Sequence, residues 1–424
     1  MTADTIFALS SGSPPAAVAV LRISGPRAAD ALRTLAGRLP EPRVATLATL
    51  RWRGEELDRA LVLRFPGPHT VTGEDVAELH LHGGRAVVTA VQEALKSLDG
   101  LRPAEPGEFT RRAFENGRVD LTEAEGLADL LLAETQSQRR AALTLAGGAL
   151  SRQVEAWRQR LLELAAAIEA ALDFSDEGEV AEGWPEGWEE RRQALASEIA
   201  VLLSRPSVER LRDGIRVVIA GPTNAGKSSL LNALVQREAA ITSPVPGTTR
   251  DVIEVPVALG GMPFLLIDTA GLRETADEVE RLGLERARAS VGAADLILWL
   301  GRGEDAPGVG NVIRIRSKSD LPGEGDGGEL RVSALTGEGL DRLEKEISDR
   351  ARGLVPGEGD VAVNARQREA LTETLSHLRR AEHIDMLIAA EALRQARNCL
   401  DQITGHAGVE DLLDKLFGRF CIGK

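Results

Sequence analysis

The segment Gly221-Pro-Thr-Asn-Ala-Gly-Lys-Ser228 has the residue types and spacing of a phosphate-binding loop, G-x-x-x-x-G-K-[ST]. Glycines let the backbone curl so that N–H groups, including those at Ala225 and Gly226, face a polyphosphate. Lys227 reaches the β- and γ-oxygens, and the Ser228 hydroxyl can ligate Mg²⁺. Ser229 continues into the apolar run that follows. Asp268-Thr-Ala-Gly271 lies about 40 residues on. There Asp268 can hold Mg²⁺ through water, and the Gly271 N–H, after Thr269 and Ala270, can meet a γ-phosphate. Between the two, Gly247-Thr-Thr-Arg-Asp251 offers Thr249 as a second Mg²⁺ ligand, available only while the γ-phosphate is present. Three motifs in this order describe a nucleotidase.

The base is read as guanine. Ser317-Lys-Ser-Asp320 follows an apolar run, and an Asp there accepts from the guanine N1–H and the exocyclic amine. ATP lacks that donor pair. Lys318 flanks the base, and Ser333-Ala-Leu335 suits a base-capping loop through Ser333 and Ala334. Here the chain resembles the translation-factor-like GTPases, whose motif is Asn-Lys-x-Asp. Ser317 replaces the Asn and has no amide to offer guanine N7 or the phosphate loop, which predicts a looser pocket. Leu272 stands where Ras-like enzymes carry a water-orienting Gln. The candidates for an arginine finger in the same chain are Arg250 and Arg273.

Ile215 to Ala220 reads as the strand before the loop, and Ser229 to Val235 as the helix after it. From 213 to about 354 strands and helices alternate, as in a parallel α/β sheet. The ten residues from Gly301 to Gly310 contain four Gly and a Pro, so the usual crossover helix is expected to be missing there. Residues 1–118 mix strand patterns (Val18–Ile23, Ala60–Phe65, Val76–Leu81) with a helix over Ala86–Leu98, an α+β domain. From 119 the period is helical. Thr122 to Glu125 reads as a capping box, and Leu143 to Leu172 as one long amphipathic helix with a kink at Gly147-Gly148. An acidic, Gly-rich loop spans Glu177–Gly187, and a further helix spans Glu189–Ser204. Helical spacing returns from 364. The expected organisation is therefore 1–118 α+β, 119–212 and 355–424 two parts of one helical bundle, and 213–354 an inserted α/β domain.

Composition sets outer bounds. The 424 residues allow two to four domains. The two cysteines, Cys399 and Cys421, build no disulfide framework, so a reducing cytoplasm is expected. Neither a signal peptide nor a run long enough to span a membrane is evident. The net charge of −14 argues against broad nucleic-acid binding. Residues 1–118 hold 15 basic and 14 acidic side chains, the less repulsive part for RNA.

Three further segments narrow the class: Asp4 to Gly25, Pro106 to Asp129, and Phe420-Cys-Ile-Gly-Lys424. With the nucleotide motifs they resemble the tRNA-modification GTPases (the MnmE/TrmE family) along essentially the whole chain. The resemblance implies an N-terminal folate-binding and dimerisation domain, a discontinuous helical domain and an inserted GTPase domain. It implies a homodimer working with an FAD- and NADH-dependent flavoprotein. Together they add an aminomethyl or carboxymethylaminomethyl group to C5 of the wobble uridine of tRNA, the carbon coming from a tetrahydrofolate in its 5,10-methylene or 5-formyl form. Arg22, Glu78, Arg118 and Lys424 correspond to the folate contacts; cations suit the folate carboxylates and Glu78 the pterin N–H groups. The resemblance also implies K⁺ in place of an arginine finger, with Asn224, Ser243, Val245 and Thr248 as ligands and Glu280 orienting the attacking water through a second water. Pro244 and Pro246 stiffen that loop. Cys421 corresponds to a residue needed for modification, while Cys399 reads as core packing. His80 and His82 alternate on one strand, and a metal pair is conceivable without a third ligand in view.

Two rival readings stand beside this one. An RNA-binding or ribosome-assembly GTPase switch would need no base chemistry, and neither the folate-like domain nor Cys421. A folate-dependent transferase with an idle GTPase domain would not need Lys227, Ser228, Thr249 and Asp268 intact.

Overall fold

The structure is a computed structural model that describes residues 4–173, 184–222, 224–237, 253–268, 292–301, 306–308, 310–321, 330–382, 385–406, 410–418 and 420–424. Two compact units emerge: Met1–Ala128 with Asp401–Lys424, and Asp129–Leu400.

The first unit is built on strands β1 (Thr5–Leu9), β2 (Val18–Ser24), β3 (Thr46–Trp52), β4 (Glu55–Phe65), β5 (Val76–His82) and β6 (Leu101–Pro103), in the order β3-β4-β5-β2-β1-β6. All pairings are antiparallel except β1 with β6. Alternate residues of the inner strands (Ala19, Leu21, Ile23; Ala77, Leu79, Leu81) are buried with helices α1 (Ala28–Ala36) and α2 (Arg85–Lys96). The period of two that marked these strands is the pleat itself. The opposite face is covered at one end by α3 (Glu108–Glu115), through Phe109 on Ile6 and Ala8.

That placement puts Arg22, Glu78 and His80 on the face opposite α1 and α2. Across it run two rows of directly paired residues: Leu47, Leu61, His80 and Val20; and Leu63, Glu78, Arg22 and Ala8. Val18, Leu47 and Leu61 are exposed there.

The second unit holds a six-stranded sheet of β7 (Ile215–Ala220), β8 (Ile253–Leu259), β9 (Met262–Asp268), β10 (Leu296–Trp299), β11 (Val312–Arg316) and β12 (Leu330–Arg331), in the order β12-β11-β10-β7-β9-β8. Every pairing is parallel except the β8–β9 hairpin. Of the connection from β10 to β11, residues 301, 306–308 and 310 are described and none is helical.

Two helical expectations need correction. The helix α4 (Leu121–Leu132) is capped by Asp120, not Thr122: Asp120 Oδ1 accepts from the Glu123 N–H at 2.9 Å, and Glu123 Oε2 accepts from the Asp120 N–H at 2.9 Å. The same S/T/D-x-x-E spacing fits both starts, and the earlier one brings Leu121 and Thr122 into the helix, fully buried. The long helix is two helices, α5 (Gln136–Ala146) and α6 (Ala149–Asp173). Gly148 takes φ +73°, which ends a right-handed helix rather than bending it, and Leu143 is left exposed. The stripe from Leu150 through Ile168 on α6 is buried as its spacing requires.

Helix α7 (Trp188–Ser204) begins at Gly187 and ends at extended Arg205, ahead of Pro206; α8 spans Glu209–Asp213. Helices α9 (Lys227–Arg237) and α10 (Leu340–Ala351) cover the sheet, with Leu230, Leu234, Leu343 and Ile347 in its core. Helix α11 (Ala365–Arg380) packs along α7, where Arg192 donates to the Leu378 carbonyl at 2.8 Å. Helix α12 (Met386–Thr404) follows, and α13 (Glu410–Phe417) belongs to the first unit.

Cys399 is buried, with its thiol 3.5 Å from Glu373 Oε2. Burial first, then the Glu373 carboxylate, push that thiol up to about 11. Such a thiol stays protonated and inert at neutral pH, in keeping with core packing.

Candidate nucleotide site

The site sits at the C-terminal end of β7, where a parallel sheet presents its ligand-binding crevice. The strand delivers Gly221 beside Leu300, and a Cβ on Gly221 would lie 2.5 Å from the Leu300 carbonyl oxygen. Its φ is +148°, so glycine is required by both contact and torsion. Asn224 takes φ +62° at the crown of the loop, exposed to solvent. Lys227 is 9% exposed, and its Nζ donates to the carbonyls of Gly221 at 3.1 Å and Pro222 at 2.9 Å. The loop thus holds its own lysine across the space where phosphate oxygens would compete for it.

Register brings the second motif alongside. Asp268 lies opposite Ile219, at the last pairing of β9 with β7. Its carboxylate is 1% exposed, and Oδ2 accepts from the Ser228 hydroxyl at 2.7 Å. A hydroxyl and a carboxylate this close form a hard oxygen pair, the donor set Mg²⁺ prefers. The residues present fit that ion.

The base side is a cavity of about 260 Å³ lined by Gly226, Ser229, Ser317, Lys318, Asp320 and Ala334, with Leu230, Ile315 and Val332 as its apolar floor. Sequence reasoning missed that floor, because only the tertiary core that gathers Leu230, Ile315 and Val332 brings it under the loop. Asp320 Oδ1 accepts from the Ser333 hydroxyl at 2.6 Å, and Ser333 Oγ in turn accepts from the N–H groups of Leu335 and Thr336. The carboxylate is thereby aimed before a base arrives. Lys318 Nζ donates to the Asn224 carbonyl at 2.8 Å. Ser317, which has no amide, reaches the phosphate loop through its hydroxyl, which donates to the Ala225 carbonyl at 2.5 Å. The loops approach closely enough that one hydroxyl spans the gap.

Ser243, Val245, Gly247, Thr248, Thr249, Thr269, Ala270, Gly271 and Glu280 lie outside the described residues, as do Arg250, Leu272 and Arg273.

In the first unit Arg22 and Glu78 face each other across β2 and β5, with Arg22 Nη2 and Nε at 3.0 and 3.1 Å from Glu78 Oε1. The Arg22 guanidinium also lies 5.9 Å from the Phe109 ring centroid. His80 Nε2 is 3.3 Å from Glu78 Oε2, and His82 Nδ1 is 2.7 Å from Asp58 Oδ1. Both histidines are engaged by carboxylates, and among the described residues no group of three or more His, Cys, Asp or Glu side chains could hold a metal.

Arg118 is exposed beyond α3. The segment Phe420–Lys424 docks against β1. Ile422 bridges Pro106, and the Ser10 hydroxyl donates to the Gly423 carbonyl at 2.9 Å. Gly423 has φ +97°, and a Cβ there would lie 2.1 Å from the Leu9 carbonyl oxygen. This docking leaves Cys421 exposed and sets Gly423 beside Leu9, the neighbour of Ala8, which pairs with Arg22.

Beneath α3 lies a network of charges. Buried Arg112 donates to Asp4 Oδ1 at 2.9 Å, Glu108 Oε1 at 3.0 Å and both Glu74 oxygens at 3.2 Å; Arg102 pairs with Asp4 and Glu108 at 2.6 Å. Burial would raise the Asp4 and Glu108 carboxyls, but the two guanidiniums outweigh it and hold both below the ordinary carboxylate range.

A parallel sheet with a phosphate loop on an inner strand, a Ser–Asp oxygen pair beside it and a Lys-x-Asp base loop defines a P-loop nucleotide-binding domain of the GTPase kind. Residues 5–118 match the family model described as GTP-binding protein TrmE N-terminus, and residues 121–421 that of the MnmE helical domain. The chain is 56% identical over 428 residues to the tRNA modification GTPase MnmE of Erythrobacter litoralis (99% of this chain, 100% of that one). It is 58% identical over 429 residues to that of Rhizorhabdus wittichii (99% and 97%). The chain therefore belongs to the MnmE family of tRNA modification GTPases. Among solved structures, Aquifex aeolicus Era is 27% identical, with 38% of this chain and 66% of that one covered and a TM-score of 0.26.

Proposed function

We propose that this protein is a GTP hydrolase that acts in tRNA modification, and that K⁺ stimulates its turnover. The observation that carries the hydrolase reading is the Ser228–Asp268 pair at 2.7 Å beside buried Lys227, in a chain whose relatives are named tRNA modification GTPases. Ser228, Thr249 and, through water, Asp268 would hold Mg²⁺, which draws charge from the β- and γ-phosphates. Lys227 leaves its two carbonyls for the phosphate oxygens. Water oriented by Glu280 attacks the γ-phosphorus, the bond to the β-bridging oxygen breaks, and GDP departs.

Asn224 at the crown of the loop, with Ser243, Val245 and Thr248, would hold K⁺, and that charge stands in for an arginine finger. Asp320, aimed by Ser333, selects guanine.

In the first unit Arg22, Glu78, Arg118 and Lys424 would hold a tetrahydrofolate, which supplies the one-carbon unit when bound. The cations suit its carboxylates, and Glu78, with Oε1 on Arg22 and Oε2 near His80 Nε2, keeps further lone pairs for ring N–H donors. Cys421, exposed on the docked segment, belongs to this half of the chemistry. Two copies would pair through the open sheet face, where Val18, Leu47 and Leu61 are exposed. An FAD- and NADH-dependent flavoprotein completes the system, which installs the aminomethyl or carboxymethylaminomethyl group on C5 of the wobble uridine in the cytoplasm. GTP turnover in KCl and in NaCl at equal ionic strength tests the proposal. Faster turnover in KCl is expected; equal rates would refute the potassium mechanism.

A further inference from the structure

Ser317 stands where an Asn is expected in the base-reading loop, and its hydroxyl is already committed. A hydroxyl has one proton, and here it goes to the Ala225 carbonyl at 2.5 Å. Guanine N7 is a bare lone-pair acceptor, so it needs a donor, and Ser317 has none left. The Lys318 ammonium places one of its three donors on the Asn224 carbonyl at 2.8 Å, which holds it at the crown of the phosphate loop. Asp320 offers only acceptors, and Leu230, Ile315 and Val332 offer none. Among the described residues the other hydroxyl in the lining is Ser229, which follows Ser228 at the phosphate end.

We infer that this pocket reads guanine through the N1–H and exocyclic amine at Asp320 and is indifferent to N7, so that guanine nucleotides altered at N7 are accepted like the parent. The inference rests on the guanine-nucleotide reading of the site. Of the two contacts a single Asn makes elsewhere, Ser317 keeps one. The loop tether survives in the Ser317 hydroxyl, and the base contact does not. Ser317 is therefore a positioning residue for the phosphate loop and, by omission, a determinant of base specificity.

Calorimetric binding of GDP and 7-deaza-GDP, which has C–H in place of N7, separates these roles. The full-length protein should bind both with dissociation constants within about twofold. Ser317→Asn should bind GDP roughly 2- to 12-fold more tightly than the parent, the worth of one neutral hydrogen bond, and should prefer GDP over 7-deaza-GDP by a similar factor. Ser317→Ala, which loses only the tether, should weaken both nucleotides by the same factor. The inference is overturned if the parent protein binds 7-deaza-GDP fivefold or more weakly than GDP, or if Ser317→Ala changes their ratio. The parent and Ser317→Ala suffice should the larger Asn disturb folding. Failure of the underlying reading looks different: no GDP binding, or ADP binding as tight as GDP, would sink the guanine site itself.

Discussion

Replacing Arg112 with Met keeps the apolar stem of the side chain and removes the charge that three carboxylates share. The guanidinium is 5% exposed, against 30% for Asp4, 22% for Glu74 and 11% for Glu108. Breaking a buried ion pair by deleting one partner costs about 3–5 kcal/mol. Asp4 and Glu74 keep some access to water, which places this case near about 3 kcal/mol, or roughly 100-fold in the opening equilibrium. The sign with pH follows from the carboxyls. In the parent, Asp4 and Glu108 titrate below their ordinary values, so their stabilisation is present at neutral pH and is lost as pH falls through those lowered values. Without Arg112 the lowering shrinks and the carboxylates repel. The gap between parent and variant is therefore widest above the ordinary carboxylate range, narrows as pH falls through that range and closes only below the lowered values. Hydrogen exchange at the Ala104 amide, which donates to the Phe7 carbonyl, reports opening of this sheet edge. Loss of protection under tenfold at pH 8, or equal loss at pH 8 and pH 3.5, would refute the reasoning. Because α3 also holds Phe109 under Arg22, the variant should weaken tetrahydrofolate binding at neutral pH.

Asp320→Asn removes an ionised acceptor pair worth about 1.5–3 kcal/mol, so GTP binding should weaken roughly 10- to 150-fold while xanthosine triphosphate improves; an unchanged preference in competition binding would dismiss the assigned pocket. Gly423→Ala meets a contact of 2.1 Å and a left-handed φ that costs about 1–2 kcal/mol on its own. The Phe420–Lys424 segment should leave β1, with tRNA modification lost and GTP turnover kept; normal modification would show that the docked position is dispensable.

What could be read from the chain beforehand divides by range. The phosphate loop was legible because Gly221, Lys227 and Ser228 act through local backbone geometry, and strands β2, β4 and β5 because alternation survives in one dimension. The cap of α4 was misplaced because Asp120 and Thr122 both satisfy the local rule, and only burial of Leu121 and Thr122 decides between them. Residues 401–424 continue the helical period of the residues before them, so nothing local says that they join the first unit. The tether from Ser317 was invisible for the same reason, since whether a hydroxyl reaches a carbonyl 92 positions away depends on how the loops after β7 and β11 meet.

The hairpin between β8 and β9 turns on Gly260 and Gly261, at φ +55° and +79°, and the Ser137 hydroxyl donates to the Gly261 carbonyl at 3.0 Å. A two-residue turn of this kind fixes which residue of β8 faces which residue of β9. Side chains alternate along a strand, so adding or deleting one residue at that turn would invert β9. Phe264 and Leu266 would leave the cluster they share with Leu230 and Leu234 for the opposite face, and Asp268 would point away from Ser228. Six residue steps lead from Met262 to Asp268, a span of roughly 20 Å. Parity counted from a glycine pair at the far end of the strand thus decides whether the carboxylate proposed to hold Mg²⁺ faces the Ser228 hydroxyl at all.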